Sequence, residues 1–203
     1  SYWPGEGAPA IDFLSVYVTH FLTEAKEANH TLPDGLLERA LDHLTKMARN
    51  TSANESDADV QAAAIYLLTR NGIVTTNYLL ALRDTLEQNN KQWRRTLASA
   101  YIAATYDLLK KHAEGEALIR TWWTEGDRKP KLEPWFNYYA NDPKVKQAQG
   151  FALLCRHFPE MAQKFGYDDL AMIVEPIRQN RFNTLSAAYG ILALKSYSQL
   201  AQQ

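Results

Sequence analysis

The chain has 203 residues, of which 46% are hydrophobic, and this length suits one domain with a sizeable core. Such a composition excludes a disordered chain. The 22 Lys and Arg residues are balanced by 23 Asp and Glu residues, so the formal net charge is −1 and no basic surplus exists to neutralise a phosphate backbone. We therefore expect no nucleic-acid partner.

No uncharged run approaches the roughly 20 apolar residues of a membrane-spanning helix, so we expect no direct insertion into a membrane. Cys155 is the single cysteine, which excludes an internal disulfide and a multi-thiolate zinc site. The stretch 1–5 begins with Ser and is typical of the interior of a protein. We expect residues 1–203 to form one domain of a much larger multidomain protein.

Apolar residues recur at helical spacing along nearly the whole chain, and no stretch shows sustained alternation bounded by hairpin turns. This pattern predicts an all-α fold of about nine or ten helices. Proline at the first helical position marks two starts, at Pro33 and at Pro143 behind the capping acid Asp142. The predicted helices cover about 11–24, 33–49, 57–72, 75–90, 92–113, a sixth segment ending near 123, 143–158, 168–179 and 183 to the C-terminus, the last of them capped by Asn183-Thr184.

Alternate helices differ in character. The runs 60–68, 97–104 and 185–194 are apolar nearly all round, whereas 37–47 carries one apolar stripe and one charged face. The apolar helices begin near 11, 57, 93, 143 and 183, a spacing typical of one helical hairpin per repeat. Because small residues such as Ala let helix axes approach closely, we favour an α/α toroid with the apolar helices inside. An open solenoid is the alternative.

Catalytic motifs of common hydrolases, metallopeptidases and phosphate-binding loops do not occur in the sequence. No two histidines are three or four residues apart, so one helix face cannot present a pair of them, and we expect no metal site and no cofactor. Cys155 and His157 are two residues apart and would point to different sides of a helix. We therefore interpret Cys155 as a buried apolar residue and not as a nucleophile.

In a closed ring the N-terminal ends of the inner helices share one mouth, where acids and aromatic residues gather. Aromatic rings stack on sugars and paired carboxylates cleave glycosidic bonds, so the mouth would suit a carbohydrate-active hydrolase or lyase. The same residues also have a structural interpretation. Acids stabilise the positive N-terminal end of a helix, and aromatic residues commonly fill the ends of a helix bundle. The candidate mouth residues are Trp3, Glu6, Asp57, Trp93 and Asp142.

Three stretches resemble the thioester-containing domain of bacterial α2-macroglobulins. After Tyr2-Trp3, the segment 13–22 is similar to the Leu-Thr-Ala-Tyr-Val-Thr-x-Phe-Leu helix of that family. Leu32-Pro33 and the apolar positions after it resemble the next family helix. The segment 181–184 followed by 187–194 resembles the Arg-Trp-x-x-Thr-x-x-x-Ala end of the family domain.

The resemblance departs at Ser15, where the family often has Thr, and at Phe182, where it often has Trp. It implies an α/α toroid of about six hairpins, of which this chain would hold the larger C-terminal part. In the family, Cys-x-Glu-Gln forms an internal thioester that traps a lysine of the attacking protease. That motif does not occur here, since Cys155 is followed by Arg156 and His157, so the thioester role cannot be transferred to a residue of this chain.

The function that the resemblance implies is a non-enzymatic domain of a periplasmic protease-trapping inhibitor, with lipoprotein anchoring of the parent and evasion of host defence as family properties. The implied partners are other domains of the same parent chain and the proteases that the parent traps. The alternatives are a carbohydrate-active (α/α) barrel and a helical-repeat scaffold for a partner peptide. A deep acidic groove would favour the enzyme, whereas a filled mouth and an apolar outer patch would favour the docking domain.

Overall fold

The computed structural model describes residues 12–51, 54–126 and 142–201, and the regular structure in these ranges is helical throughout. The predicted all-α class is confirmed. Ten α-helices and one short 3₁₀ turn, Trp93–Arg95, lie in this described part. The helices are α1 Asp12–Glu27, α2 Leu36–Ala48, α3 Glu55–Arg70, α4 Thr76–Asn89, α5 Leu97–Leu108, α6 His112–Glu125, α7 Pro143–His157, α8 Pro159–Ala162, α9 Tyr167–Arg178 and α10 Thr184–Ala201.

The chain divides into two compact units, Ser1–Asn89 and Asn90–Gln203. In the first unit α3 packs against α1, α2 and α4, and α1 also packs against α2. In the second unit α7 is central, because α5, α8, α9 and α10 all contact it. Helices α5 and α6 form a hairpin, and α9 also packs against α10.

Three helices are buried around their whole circumference for two turns or more. Every residue of 61–68 in α3, 97–106 in α5 and 148–155 in α7 is buried. Tyr66 and Tyr101 lie inside these segments. The predicted burial is confirmed for the helices that begin near 57, 93 and 143, whereas the apolar run 185–194 is only partly buried.

The helices between them bury one stripe each, as their amphipathic sequences predict. The buried positions of each stripe are separated by three or four residues, which places them on one side of a helix. They are Leu79, Leu82 and Leu86 in α4 and Gly115, Ile119 and Trp122 in α6.

Helices α1 and α10 depart from the predicted alternation. Both are predicted to be inner helices, but each has one covered face and one exposed face. In α10, Tyr189 and Ala193 are buried while Ile191 is exposed. The prediction is wrong for these two helices because an apolar sequence does not say which segment of a protein covers each face.

Two predicted helix boundaries are wrong for reasons of local backbone geometry. Helix α2 begins at Leu36 and not at Pro33. Residues 34 and 35 form a turn before it, and Gly35 takes the left-handed conformation with φ +65°. The predicted helix 92–113 is divided, because Lys110 takes φ +64° and ends α5. Lysine seldom adopts that conformation, so the sequence carries no glycine signal for this helix end.

Aromatic side chains fill the second unit where α6 meets α7. Trp123 stacks on Phe165 with ring centroids 4.5 Å apart, and Phe151 packs against both rings. Gly150 lies directly beneath Trp122, and a Cβ atom at that position would overlap the indole ring. The absence of a side chain at Gly150 therefore leaves room for the Trp122 ring against α7.

Ala104→Leu should destabilise the chain by about 1 to 3 kcal/mol, because the larger side chain overpacks the buried middle of α5. Urea unfolding measures the free-energy difference. Ala117→Leu is the matched control, since Ala117 is exposed on α6. Equal unfolding free energies for the two variants would contradict the internal position of α5.

Candidate functional site: helix ends and an exposed apolar face

The predicted mouth residues have separate structural roles. Trp3 and Glu6 lie outside the described residues. Asp57 is exposed in the first turn of α3, in the first unit. Trp93 is buried in the 3₁₀ turn of the second unit, so its ring face is not open for stacking on a sugar.

Asp142 links the starts of α7 and α10. Its Oδ1 accepts a hydrogen bond of 2.9 Å from the Lys144 backbone N–H, which caps α7 in front of Pro143. Its Oδ2 accepts a hydrogen bond of 3.1 Å from Asn183 Nδ2. Asn183 Oδ1 in turn accepts the backbone N–H of Ser186 at 2.9 Å. Both predicted helix caps are confirmed, and the carboxylate of Asp142 is engaged in structure.

A shallow cleft lies between α7, α9 and α10. Met172, Ile177 and Phe182 form much of its wall, and the described residues that line it include no carboxylate. Lys144 Nζ at its edge donates a 2.9 Å hydrogen bond to the Arg181 carbonyl. The cleft therefore does not provide the pair of acids that glycosidic cleavage requires.

Cys155 lies buried in α7, and burial raises the pKa of its thiol to about 12. The thiol therefore stays protonated at neutral pH and is a poor nucleophile. The interpretation of Cys155 as a buried apolar residue is confirmed.

Among the residues that the structure describes, no group of three or more His, Cys, Asp and Glu side chains is placed to hold a metal ion.

One cluster of ionisable side chains was not predicted. The carboxylate of Asp107 is hydrogen-bonded through Oδ1 to His112 Nδ1 at 2.8 Å and through Oδ2 to His157 Nδ1 at 3.0 Å. The three residues come from three different helices, so a search for histidines three or four apart on one helix cannot find them. The only local signal is an acid five residues before a histidine across a helix end.

Helix α1 has an exposed apolar face. The sequence predicts this helix to be buried, so this face was not predicted. Leu14, Val18 and Phe21 are 46%, 46% and 65% exposed. Their spacing of four and three residues places them in one row, which we call the α1 face. On the other side of the helix, Val16 and Leu22 are buried. A continuous apolar row of this kind marks an interaction surface more often than single exposed residues do.

An ion cluster fixes α1 against α3. Arg70 Nε donates to Glu27 at 2.7 Å, and its Nη2 donates to Glu24 at 2.6 Å. Burial alone would lower the pKa of Arg70, but Tyr66 and the two glutamates together raise it, so the guanidinium stays charged. The cluster holds the covered side of α1 in place and leaves the α1 face outward.

Within the described residues, no helix is long and apolar enough to cross a membrane.

The chain is 36% identical over 193 residues to an alpha-2-macroglobulin homolog of Yersinia pestis, an alignment that covers 94% of this chain. It is 30% identical over 201 residues to the alpha-2-macroglobulin of Rickettsia conorii and 32% identical over 199 residues to that of Pasteurella multocida, with 97% and 94% of this chain covered. The chain is homologous to part of the alpha-2-macroglobulins. The resemblance to this group is thereby confirmed.

The chain spans about a tenth of these alpha-2-macroglobulins, since each alignment covers 10% of the relative. No protein-family model matches it. The cryo-EM structure of Escherichia coli alpha-2-macroglobulin in its native conformation is similar with a TM-score of 0.67 at 15% identity, and the match covers 98% of this chain and 12% of that one. At this identity the structural likeness concerns the fold alone, and it agrees with the all-α class.

Asp142→Ala should destabilise the chain by about 1 kcal/mol, because α7 loses its cap and Asn183 loses a partner. Thermal unfolding checks this. Asp142→Asn keeps an acceptor for the Lys144 N–H and should restore most of the loss. Asp57→Ala, at an exposed position, is the control and should cost less. A larger cost at Asp57 than at Asp142 would contradict the capping role.

Proposed function

We propose that the chain is a non-catalytic packing domain of an alpha-2-macroglobulin-like protein that traps proteases. The observation that supports this proposal is homology along 94% to 97% of the chain to alpha-2-macroglobulins from three organisms. Trapping is a steric task, and a domain serves it by holding its shape and by contacting its neighbours. It requires no reacting group in this part of the parent protein.

The polar chemistry of the described residues supports a packing role. Asp142 accepts two hydrogen bonds, one of which caps α7, Cys155 is buried and protonated, and Trp93 is buried. The carbohydrate-active barrel would need two unengaged acids facing one cleft. The cleft beside α10 has no acid among the described residues of its wall. The engaged or buried side chains and the absence of acids from the described wall of the cleft favour the packing domain over the hydrolase or lyase.

The α1 face is the surface that we assign to contact with another part of the parent protein. The three side chains of this face are apolar, and the charged residues of α1 stand at its two ends, namely Asp12, Glu24, Lys26 and Glu27. A row without charge suits an apolar partner surface. Because the relatives are about ten times longer than this chain, a parent of that size would have many further residues to cover the row.

The partners in this proposal are the neighbouring domains of the parent and, for the parent as a whole, the proteases that it traps. A periplasmic location is part of the same proposal and is supported by the resemblance to the bacterial family. Placement of this chain within the thioester-containing domain is supported by the helix motifs near Trp3 and before Ala187. Cys-x-Glu-Gln is not in this chain, so the proposal does not depend on a thioester.

The proposal predicts that the parent protein shields a protease from large substrates. After the parent and a serine protease are mixed, cleavage of a folded protein substrate should fall several-fold, while cleavage of a small chromogenic peptide should change little. In the parent, Leu14→Ser combined with Phe21→Ser should weaken this shielding, because the α1 face loses apolar contact area. Both cleavage rates are measured in parallel.

Val74→Ser is the matched control, since Val74 is 85% exposed outside the α1 face. The isolated double variant should unfold at nearly the wild-type temperature, because both replaced side chains are exposed in this chain. A parent that leaves cleavage of the protein substrate unchanged would contradict protease trapping. A double variant that shields as well as the wild type would contradict only the assignment of the α1 face, and a peptide-binding scaffold would give no shielding at all.

A further inference from the structure

Three helix ends meet at one carboxylate in the second unit. Asp107 is next to the last residue of α5, His112 is the first residue of α6, and His157 is the last residue of α7. Each oxygen of the carboxylate is occupied by one imidazole, at 2.8 Å for His112 and 3.0 Å for His157. We call these three residues the Asp–His clamp.

The clamp lies at the boundary between the interior and solvent. The side chain of His157 is 6% exposed, that of Asp107 is 26% exposed and that of His112 is 56% exposed. The ring of Phe158 packs beside both imidazoles, with centroids 5.4 Å from His112 and 6.5 Å from His157. One hydrogen bond of the clamp is therefore sheltered from water, while the other remains open to exchange protons with it.

We propose that Asp107, His112 and His157 form a proton-dependent clamp that binds the ends of α5, α6 and α7 more tightly as the pH falls from neutral to mildly acidic. Protonation of an imidazole converts its bond to the carboxylate into a charge-assisted one, which is shorter and stronger. Histidine is the side chain that ordinarily changes charge in this pH range. This proposal does not depend on protease trapping.

The charged groups around the exposed imidazole favour its protonated form. Glu116 on α6 and Glu160 on α8 both act on His112 in the same direction as Asp107 does. Lys111, which directly precedes His112, has its Nζ over the ring of Tyr106 at 5.8 Å from the centroid. The surroundings therefore supply carboxylates from three helices to one imidazole.

The direction of the pH dependence follows from two residues. The hydrogen bond with Asp107 raises the pKa of His112 above 6.5, against an opposing effect of burial. Its stabilising contribution is therefore complete below pH 6.5 and is lost as the pH rises through the raised pKa. Burial disfavours the Asp107 carboxylate, but the bonds to both histidines lower its pKa below 3.8. The contribution of Asp107 is present above pH 3.8 and is lost as the pH falls through the lowered pKa.

The test is thermal and urea unfolding of the 203-residue chain at about pH 6 and about pH 8, combined with an NMR titration of the histidine ring protons. The wild type should unfold at a higher temperature and a higher urea concentration at the lower pH. Asp107→Asn should remove most of that difference and move the titration midpoint of His112 to lower pH. His30→Gln removes an exposed histidine of the first unit and is the control, with no effect on either quantity.

His112→Gln is a second variant that is expected to fold, because the replaced side chain is more than half exposed. It should lose part of the pH-dependent difference while His157 keeps its bond to Asp107. A wild-type pH dependence in either clamp variant would overturn the proposal, as would an unchanged titration midpoint of His112 in Asp107→Asn. If Asp107→Asn does not fold, the result for His112→Gln decides the question.

Discussion

Burial of α3, α5 and α7 around their whole circumference is the constraint on which the rest of the structure depends. Helices enclosed in this way need short side chains where neighbours cross, which is why Ala104 lies in the middle of α5 and why Gly150 lies beneath Trp122. Three charged side chains that link helices lie at or near helix ends. There Arg70, Asp107 and Asp142 each join segments from different helices.

This use of polar groups connects the fold to the proposed function. A carboxylate such as Asp142, which already accepts two hydrogen bonds, holds helix ends together and does not serve as a general acid or base. The described surface offers apolar contact along the α1 face instead. A domain built in this way suits a large protein whose parts must hold their shape and press against one another. Homology to the alpha-2-macroglobulins is consistent with that demand.

The amino-acid sequence predicts those parts of the structure that depend on local chemistry or on the period of apolar residues. The all-α class, the three inner segments and the caps at Asp142 and Asn183 are of this kind. The break at Lys110 was missed because a lysine in the left-handed conformation leaves no compositional signal. The outward side of α1 and the meeting of Asp107 with His157 were missed because they depend on which helices become neighbours in three dimensions.

Amide hydrogen exchange of the 203-residue chain, followed by mass spectrometry, measures directly whether α3, α5 and α7 are enclosed. Buried helical amides exchange only when the surrounding structure opens, so the enclosed segments should report the largest opening free energies. We expect the slowest exchange in 61–68, 97–106 and 148–155, and faster exchange in α2 and α9, which face solvent on one side. Exchange in the three enclosed segments as fast as that in α2 and α9 would contradict their enclosure.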